Sequence, residues 1–269
     1  MSTYRTEGVI LRRSNFGEAN LLLHIFTKNV GKIEAVGKSA RKPKGKLKGH
    51  LEPFLYCDFV LVHGKKMDTV ANSFILEPFL NIRSSFVLVL AASVVTEIAD
   101  RMTIEGYPDE RIFNLVVRSF SFLDNLPDLD NKMLWLLIAF FEVNFLSLSG
   151  FSPQLDKCVF CSGEISPGKN YFSFSLGGIL DFSCAKKIPD VVSIEDDVIK
   201  LLRFLMIDGA EKGGYEEKII SKFEDIKKLQ VARETVFRST LLMKNFIEFN
   251  IDQKINSLET LCSFAREKI

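Results

Sequence analysis

The chain has 269 residues, with 35 basic and 34 acidic side chains and a formal net charge of +1. An apolar fraction of 47% with 26% charged residues is that of a globular protein and excludes a mainly disordered chain. The near-zero total hides an asymmetry: residues 1–80 hold 13 basic and 7 acidic groups, a net of +6, and the remaining residues hold 22 and 27, a net of −5.

The first 80 residues predict a small β-structure. Five short segments rich in aliphatic and aromatic residues are separated by turn-forming residues, and none has the length or period of a helix. They cover residues 8–11, 21–26, 32–36, 54–62 and 67–75. The turn at residues 63–66 predicts a hairpin between the last two strands. This pattern favours a β-barrel or a β-sandwich.

After Pro78 the pattern becomes helical. Apolar residues recur at helical spacing in three segments, residues 84–102, 109–123 and 132–148. Helical patterning resumes at residues 195–207 and again at 222–250, where it fits one long helix or two. The uninterrupted apolar runs are shorter than the ~18 residues that a membrane span needs, so these segments are predicted to be core helices.

Two domains are predicted, residues 1–80 and residues 81–269, the second with a loop-rich insert at about 150–190. The N terminus lacks the apolar run of a secretory signal, and the five cysteines are not spaced like a disulfide framework. These features predict a cytoplasmic protein. The sequence has neither the spacing of a catalytic triad nor a phosphate-binding loop, so the chain is not predicted to be an enzyme.

A basic loop, which comprises residues 37–49, lies between the third and fourth predicted strands. It holds six cations and no acidic residue, and its Gly and Pro residues predict an irregular, mobile segment. The cations are Lys38, Arg41, Lys42, Lys44, Lys46 and Lys48. Such a loop suits the phosphate backbone of a nucleic acid, because its charges gain affinity by releasing counterions. The alternative is a charged loop that is merely solvated.

Other residues of the same predicted β-unit could support nucleic-acid binding. Arg12 and Arg13 add positive charge to it. Four aromatic side chains on or near its strands could stack on bases, as in barrel-type single-strand binders. They are Phe16, Phe54, Tyr56 and Phe59. Because aromatic residues on strands are more often core residues, most of these four are predicted to be buried.

Cys158 and Cys161 form a C-x₂-C pair whose thiolates can bind one metal ion. A second pair is needed further along, where Cys184 is present but Asp181 stands in place of the other cysteine. All three histidines lie far upstream, so no local imidazole can substitute. The pattern permits a structural zinc site with three thiolates and Asp181, or alternatively a degenerate knuckle whose sulfurs pack as small apolar groups.

Several short motifs follow one another over most of residues 4–190. They are EGVIL at 7–11, FGEAN at 16–20, IFT at 25–27, GK at 31–32, GKSAR at 37–41, LEPF at 51–54, GFSP at 150–153, the Cys158 and Cys161 pair, and Gly177-Gly178 before Cys184. In this order and spacing the chain resembles the bacterial RecO family of DNA repair and recombination mediators. It departs from the family pattern at Asp181, because zinc-binding members have cysteine there and other members lack the site.

The resemblance implies an α+β protein with an N-terminal OB-fold β-barrel, followed by an α-helical domain with a zinc-finger-like insert. It implies a mediator of the RecF-type pathway that binds single- and double-stranded DNA and anneals complementary strands. It also implies that the protein acts with RecR and the C-terminal tail of single-strand-binding protein, and helps load RecA onto coated strands. By position, Lys38 and Arg41 are expected to touch DNA, and the four lysines at 42–48 extend the same loop. The expected location is the bacterial cytoplasm, at the nucleoid during repair.

A different interpretation remains open from the residues alone. An RNA-binding adaptor could use the same basic loop on structured RNA, since counterion release does not distinguish the two polymers. Such an adaptor would prefer folded RNA to single-stranded DNA in competition.

Overall fold

Five strands close into a β-barrel in the computed structural model, which describes residues 2–126, 131–207, 209 and 214–266. The strands are β1 (Thr3–Phe16), β2 (Asn20–Thr27), β3 (Gly31–Gly37), β4 (Tyr56–Val62) and β5 (Asp68–Glu77). Their order around the barrel is β1-β2-β3-β5-β4, with β3 and β5 parallel and the other described pairs antiparallel. The predicted β-structure is therefore an OB-like barrel and not a sandwich, as the resemblance implied.

The long first strand closes the barrel because it pairs on both sides. Its N-terminal half pairs with β4 and its C-terminal half with β2, and the register shifts between Ile10 and Arg12. A shift of this kind bends a strand and increases its twist, which lets one strand serve two neighbours. Alternation along β4 directs Cys57, Phe59 and Leu61 into the barrel core.

The structure divides into two compact units, and the barrel lies in the first (Met1–Leu126 and Glu259–Ile269). This unit also contains α1 (Leu80–Ser84), α2 (Phe86–Met102) and α3 (Glu110–Asp124). Asp109 caps α3 by accepting a hydrogen bond from the backbone N–H of Arg111 at 2.9 Å. Phe113 of α3 packs against Phe26 and Tyr56 of the barrel, with ring centroids 6.1 and 5.9 Å apart. The predicted domain boundary near residue 80 falls between β5 and α1, and it stays a prediction.

Unit 2 (Pro127–Leu258) is helical with a small β-insert. Its helices are α4 (Asn131–Leu148), α6 (Asp196–Leu205), α7 (Tyr215–Lys228) and α8 (Arg233–Ile251), and α9 (Asn256–Arg266) begins within it. The insert holds β6 (Asn170–Ser173), β7 (Gly178–Leu180), the short α5 (Phe182–Ala185) and β8 (Val191–Ile194), with sheet order β7-β6-β8. The segment that fitted one helix or two is two, because Leu229 and Ala232 have extended backbones between α7 and α8.

Helix α4 is the central helix of unit 2. By length and composition it is the one described helix that could cross a membrane, but 72% of it is buried inside the protein. Trp135 packs edge-on against Phe237 of α8, and Phe140 packs against Phe223 of α7, with centroids 5.1 and 4.9 Å apart. Its apolar surface is therefore covered by neighbouring helices, as predicted for a core helix.

Candidate nucleic-acid interface and metal centre

The basic loop is a chain of tight turns. The backbone N–H groups of Lys42, Gly45 and Lys48 each donate to the carbonyl oxygen three residues earlier, at 2.9–3.0 Å. The loop is also tied to the turn that follows β1, because the backbone N–H of Arg41 donates to Ala19 O at 3.0 Å. A Cβ at Gly45 would lie 2.4 Å from Ser39 O, so only glycine fits where these turns approach one another.

Apolar side chains between the cations anchor this loop to the barrel. Ala40 and Leu47 of the loop, and Leu51 two residues after it, are buried in the barrel core together with Leu23 and Phe59. The sequence predicted an irregular segment, and the structure adds that apolar contacts attach it to the barrel. The signal was present in the sequence as apolar residues within and just after a stretch otherwise rich in cations and glycine.

The six cations of the basic loop point to solvent. Each is exposed, and none of them makes an ion pair with any carboxylate in the described part of the chain. The guanidinium of Arg41 donates to Glu18 O at 3.3 Å, which fixes its position without neutralising its charge. Such a set of ordered, uncompensated cations creates a positive potential that attracts a polyanion.

Two grooves flank the basic loop. The first, with a volume of about 600 Å³, is lined by Arg41, Leu47 and Lys48 among others. The second, of about 430 Å³, is lined by Lys38, Lys42, Lys44 and Lys46 on one side and by residues 69–71 of β5 on the other. Leu47 borders both grooves, so the loop forms a ridge with lysines on either side.

Arg12 and Arg13 are placed differently from the loop cations. Arg12 Nε lies 2.5 Å from Asp100 Oδ2, and Arg13 Nη1 lies 2.6 Å from Glu52 Oε1. Both side chains are exposed, but each has a carboxylate partner that spacing in the sequence could not reveal. Their charge is therefore partly compensated before any ligand arrives.

The aromatic residues of the barrel are mostly structural. Phe59 is fully buried, and Phe54 packs against Phe120 of α3 with ring centroids 5.9 Å apart. Tyr56 packs against α3 as well, whereas Phe16 at the end of β1 remains 40% exposed. Of the four candidates for base stacking, Phe16 has the most accessible ring.

The four predicted metal ligands come together in the insert of unit 2. One ligand atom from each of Cys158, Cys161, Asp181 and Cys184 lies within 4.8 Å of the others. We call this set the metal cluster. Two glycines make the approach possible: Gly177 has φ +70°, and a Cβ at Gly178 would lie 2.6 Å from Gln154 O. The sulfurs of a tetrahedral zinc site are ~3.8 Å apart, so a small contraction would complete the geometry.

Hydrogen bonds set the protonation of the metal cluster. Burial raises the pKa of the Cys158 thiol, but backbone N–H donors at Cys161, Asp181 and Phe160 outweigh it and hold that pKa below its usual value. Hydrogen bonds from Ser183 and from the Cys184 N–H hold the pKa of Asp181 far below its usual range. A hydrogen bond to Asp181, with burial, raises the pKa of Cys184 to about 12. Without a cation, this arrangement favours a charged carboxylate at Asp181 beside the thiol form of Cys184.

This donor set fits a metal ion. Asp181 Oδ1 accepts the backbone N–H groups of Ser183 and Cys184 at 2.8 and 2.9 Å, while Oδ2 faces Cys161 and is open to a cation. Three sulfurs and one carboxylate oxygen on two adjoining turns supply four ligands, which is the number that a closed structural site uses. The metal cluster could therefore bind a metal ion, which is one of the two alternatives that the sequence left open.

Known proteins are similar to this chain over most of its length. A family model described as the N-terminal part of recombination protein O matches residues 1–79, and its C-terminal counterpart matches residues 83–259. A DNA repair protein RecO of Dehalococcoides mccartyi is 32% identical over 99% of this chain and 98% of its own length. The DNA repair protein RecO of Alkaliphilus metalliredigens is 31% identical over 95% of this chain and 97% of its own length. That of Syntrophus aciditrophicus is 30% identical over 98% of this chain and 97% of its own length.

Proposed function

Because the chain belongs to the RecO family of DNA repair proteins, we propose that it is a non-enzymatic recombination mediator that binds DNA through its basic loop. Its role lies in DNA repair and recombination. The observation that supports the finer proposal is the set of six exposed cations on a loop anchored in the barrel core, none of which pairs with a carboxylate of the described residues.

The proposed activity is annealing of complementary strands. Two single strands repel one another through their phosphates, and a cation-bearing ridge lowers that repulsion by releasing condensed counterions. Contacts to phosphate carry no sequence information and leave base edges free to pair. The loop cations Lys38, Arg41, Lys42, Lys44, Lys46 and Lys48 would supply these contacts on single- and double-stranded DNA. Arg12 and Arg13 would join them by exchanging a carboxylate for a phosphate.

The proposed partners are those of the RecF-type pathway. The protein would act with RecR, bind the C-terminal tail of single-strand-binding protein, and help load RecA onto coated strands. The net charge of −5 on residues 81–269 supports different roles for the two parts of the chain, because a region with an excess of acidic groups attracts a polyanion less than the basic loop does and leaves more of its surface to proteins. We expect this work to take place in the bacterial cytoplasm, at the nucleoid during repair.

Zinc is the proposed ligand of the metal cluster. Cys158, Cys161, Asp181 and Cys184 would hold it, and the ion would cross-link the two halves of the insert. The residues of the cluster already position one another: Asp181 caps α5, and backbone N–H groups of the first turn favour the thiolate of Cys158. The cluster would therefore stabilise the insert without taking part in annealing.

Strand annealing by the purified chain tests the proposal. Two complementary oligonucleotides, one with a donor dye and one with an acceptor, are mixed with the protein and no nucleotide. The protein is expected to accelerate energy transfer, and replacing Lys42, Lys44, Lys46 and Lys48 together with Ala is expected to remove most of that acceleration. No acceleration by the unaltered protein would contradict the proposal, and a preference for folded RNA as competitor would favour an RNA-binding adaptor.

A further inference from the structure

Two aromatic side chains of the insert lie outside its hydrophobic core. The core of the insert is formed by Cys158, Leu180, Cys184 and Ala185, with partly buried apolar residues packed around them. Phe160 and Phe182 are 50% and 45% exposed. Each directly neighbours a member of the metal cluster in sequence, Phe160 before Cys161 and Phe182 after Asp181, so the fold of the insert fixes the backbone beneath each ring.

Lysine ammonium groups cover both rings. Lys186 Nζ lies 4.2 Å from the centroid of Phe182, and Lys169 Nζ lies 5.8 Å from the same centroid. Lys187 Nζ lies 5.5 Å from the centroid of Phe160. Because Lys186 and Lys187 are consecutive, one turn of the chain brings a cation to each ring. These five residues form what we call the knuckle face.

The lysines of the knuckle face are accessible to a ligand. Lys169, Lys186 and Lys187 are exposed, and within the described ranges none of them pairs with a carboxylate. The attraction between an ammonium group and an exposed aromatic ring is weak, so a ligand that offers each group a better partner can separate them.

We propose that the knuckle face binds a single nucleic-acid strand, as a second strand site in addition to the basic loop. Each ring with its lysine matches one nucleotide, because a base can stack on the ring while the ammonium moves to the adjacent phosphate. A strand repeats this ring-and-anion unit along its length, whereas an acidic peptide supplies carboxylates without a ring at every step. The inference rests on the proposed function, since annealing requires that two strands be held at once.

The test uses the full-length chain and a fluorescein-labelled oligothymidine, with binding followed by anisotropy at several salt concentrations. Starting from the protein in which Lys42, Lys44, Lys46 and Lys48 are Ala, residual binding is compared with and without Phe160→Ala/Phe182→Ala. Each ring is expected to contribute a factor of about five or more to that binding. Removing both rings should therefore weaken binding by more than this factor, with little change in its salt dependence. The matched control is Phe151→Ala, an exposed phenylalanine of the same unit, at 42%.

A second variant, Lys169→Ala/Lys186→Ala/Lys187→Ala, removes surface cations without touching the core of the insert. It is expected to lower the log–log salt slope by ~0.7 per lost phosphate contact. Unchanged oligothymidine binding in both variants, while the unaltered protein binds and anneals, would overturn the knuckle face and leave the proposed function standing. Binding of an Asp- and Glu-rich peptide by this face, with no loss of oligothymidine binding on mutation, would also overturn it. Failure of the unaltered protein to bind any strand would refute both.

Discussion

Cys161 Sγ donates a hydrogen bond to Asp181 Oδ2 at 3.4 Å, which joins two turns that are 20 residues apart in sequence. The other carboxylate oxygen of Asp181 accepts the backbone N–H groups of Ser183 and Cys184 and so caps α5. One side chain therefore begins a helix and faces three sulfurs. A cysteine at this position could bind a metal ion, but its sulfur would be a poorer helix cap.

Substitutions at Asp181 separate these two roles. Asp181→Asn keeps an oxygen that can cap α5 but removes the negative charge, so zinc affinity is expected to fall by at least about tenfold with helix content retained. Asp181→Cys is expected to raise zinc affinity, because thiolate is the preferred ligand in structural sites. Competition with a chromophoric chelator measures both changes. Equal zinc affinity in the three proteins would show that Asp181 is not a ligand.

The salt dependence of DNA binding tests where the phosphate contacts are. Replacing Lys44 and Lys46 of the basic loop with Ala is expected to lower the log–log slope for a single strand by up to ~1.4, which is ~0.7 for each lost contact. Lys65→Ala/Lys66→Ala is the matched control, because it removes the same charge from the turn between β4 and β5. Equal slopes for the two variants would mean that net charge matters and the position of the loop does not.

Gly45→Ala tests whether the order of the basic loop matters. The new Cβ would meet Ser39 O at 2.4 Å and force the turns apart, while the charge of the loop stays the same. We expect weaker oligonucleotide binding, by severalfold, with nearly the same melting temperature, because ordered cations lose less entropy on binding than mobile ones. Affinity and thermal unfolding can be measured on the same preparation. Unchanged affinity would favour the flexible polycation that the sequence predicted.

A buried carboxyl in unit 2 predicts a pH dependence of stability. Glu142 of α4 is fully buried, and neither of its carboxyl oxygens has a hydrogen-bond partner among the described residues. Burial holds the pKa of Glu142 well above its usual value, and repulsion from Glu248 adds to this while Lys244 opposes it. Lys244 itself pairs with Glu248 at 3.0 Å. Glu142 therefore keeps its proton in the folded protein to a higher pH than in the unfolded chain.

The direction in which stability changes with pH follows from this difference in proton binding. Between the usual pKa of ~4.3 and the raised one, the folded state holds the proton and the unfolded state does not, so stability falls as pH rises, by ~1.4 kcal/mol per unit. Glu142→Gln has no proton to lose, so its gain in the free energy of unfolding over the unaltered protein should be smallest near pH 4 and should grow with pH until the raised pKa of Glu142 is passed. Urea unfolding at a series of pH values measures this. Glu217→Gln, an exposed change on α7, is the control, and an advantage that does not vary with pH would contradict the prediction.

Most secondary structure could be predicted from the sequence because its signals are local. Short apolar runs between turn-forming residues placed the five barrel strands, and apolar residues at helical spacing placed α2, α3 and α4. The predicted bounds lie within a few residues of the observed ones except in β1, which covers Thr3–Phe16 where residues 8–11 were predicted. The sequence left open whether the strands form a barrel or a sandwich, and the tertiary structure decided this. The barrel closes because β1 pairs with both β2 and β4, and local spacing in the sequence does not indicate such a long-range pairing.

The sequence by itself determined the kinds of groups available: six loop cations without an acidic residue among them, and three cysteines with an aspartate at metal-ligand spacing. Only the tertiary structure decided which of these groups are free to act. Among the residues that the structure describes, it left the loop cations without carboxylate partners. It gave Arg12 and Arg13 partners in Asp100 and Glu52, and it brought Asp181 against Cys161. The reason is physical: composition and local spacing set what a residue can do, whereas the partner that compensates its charge is selected by contacts between residues far apart in the chain.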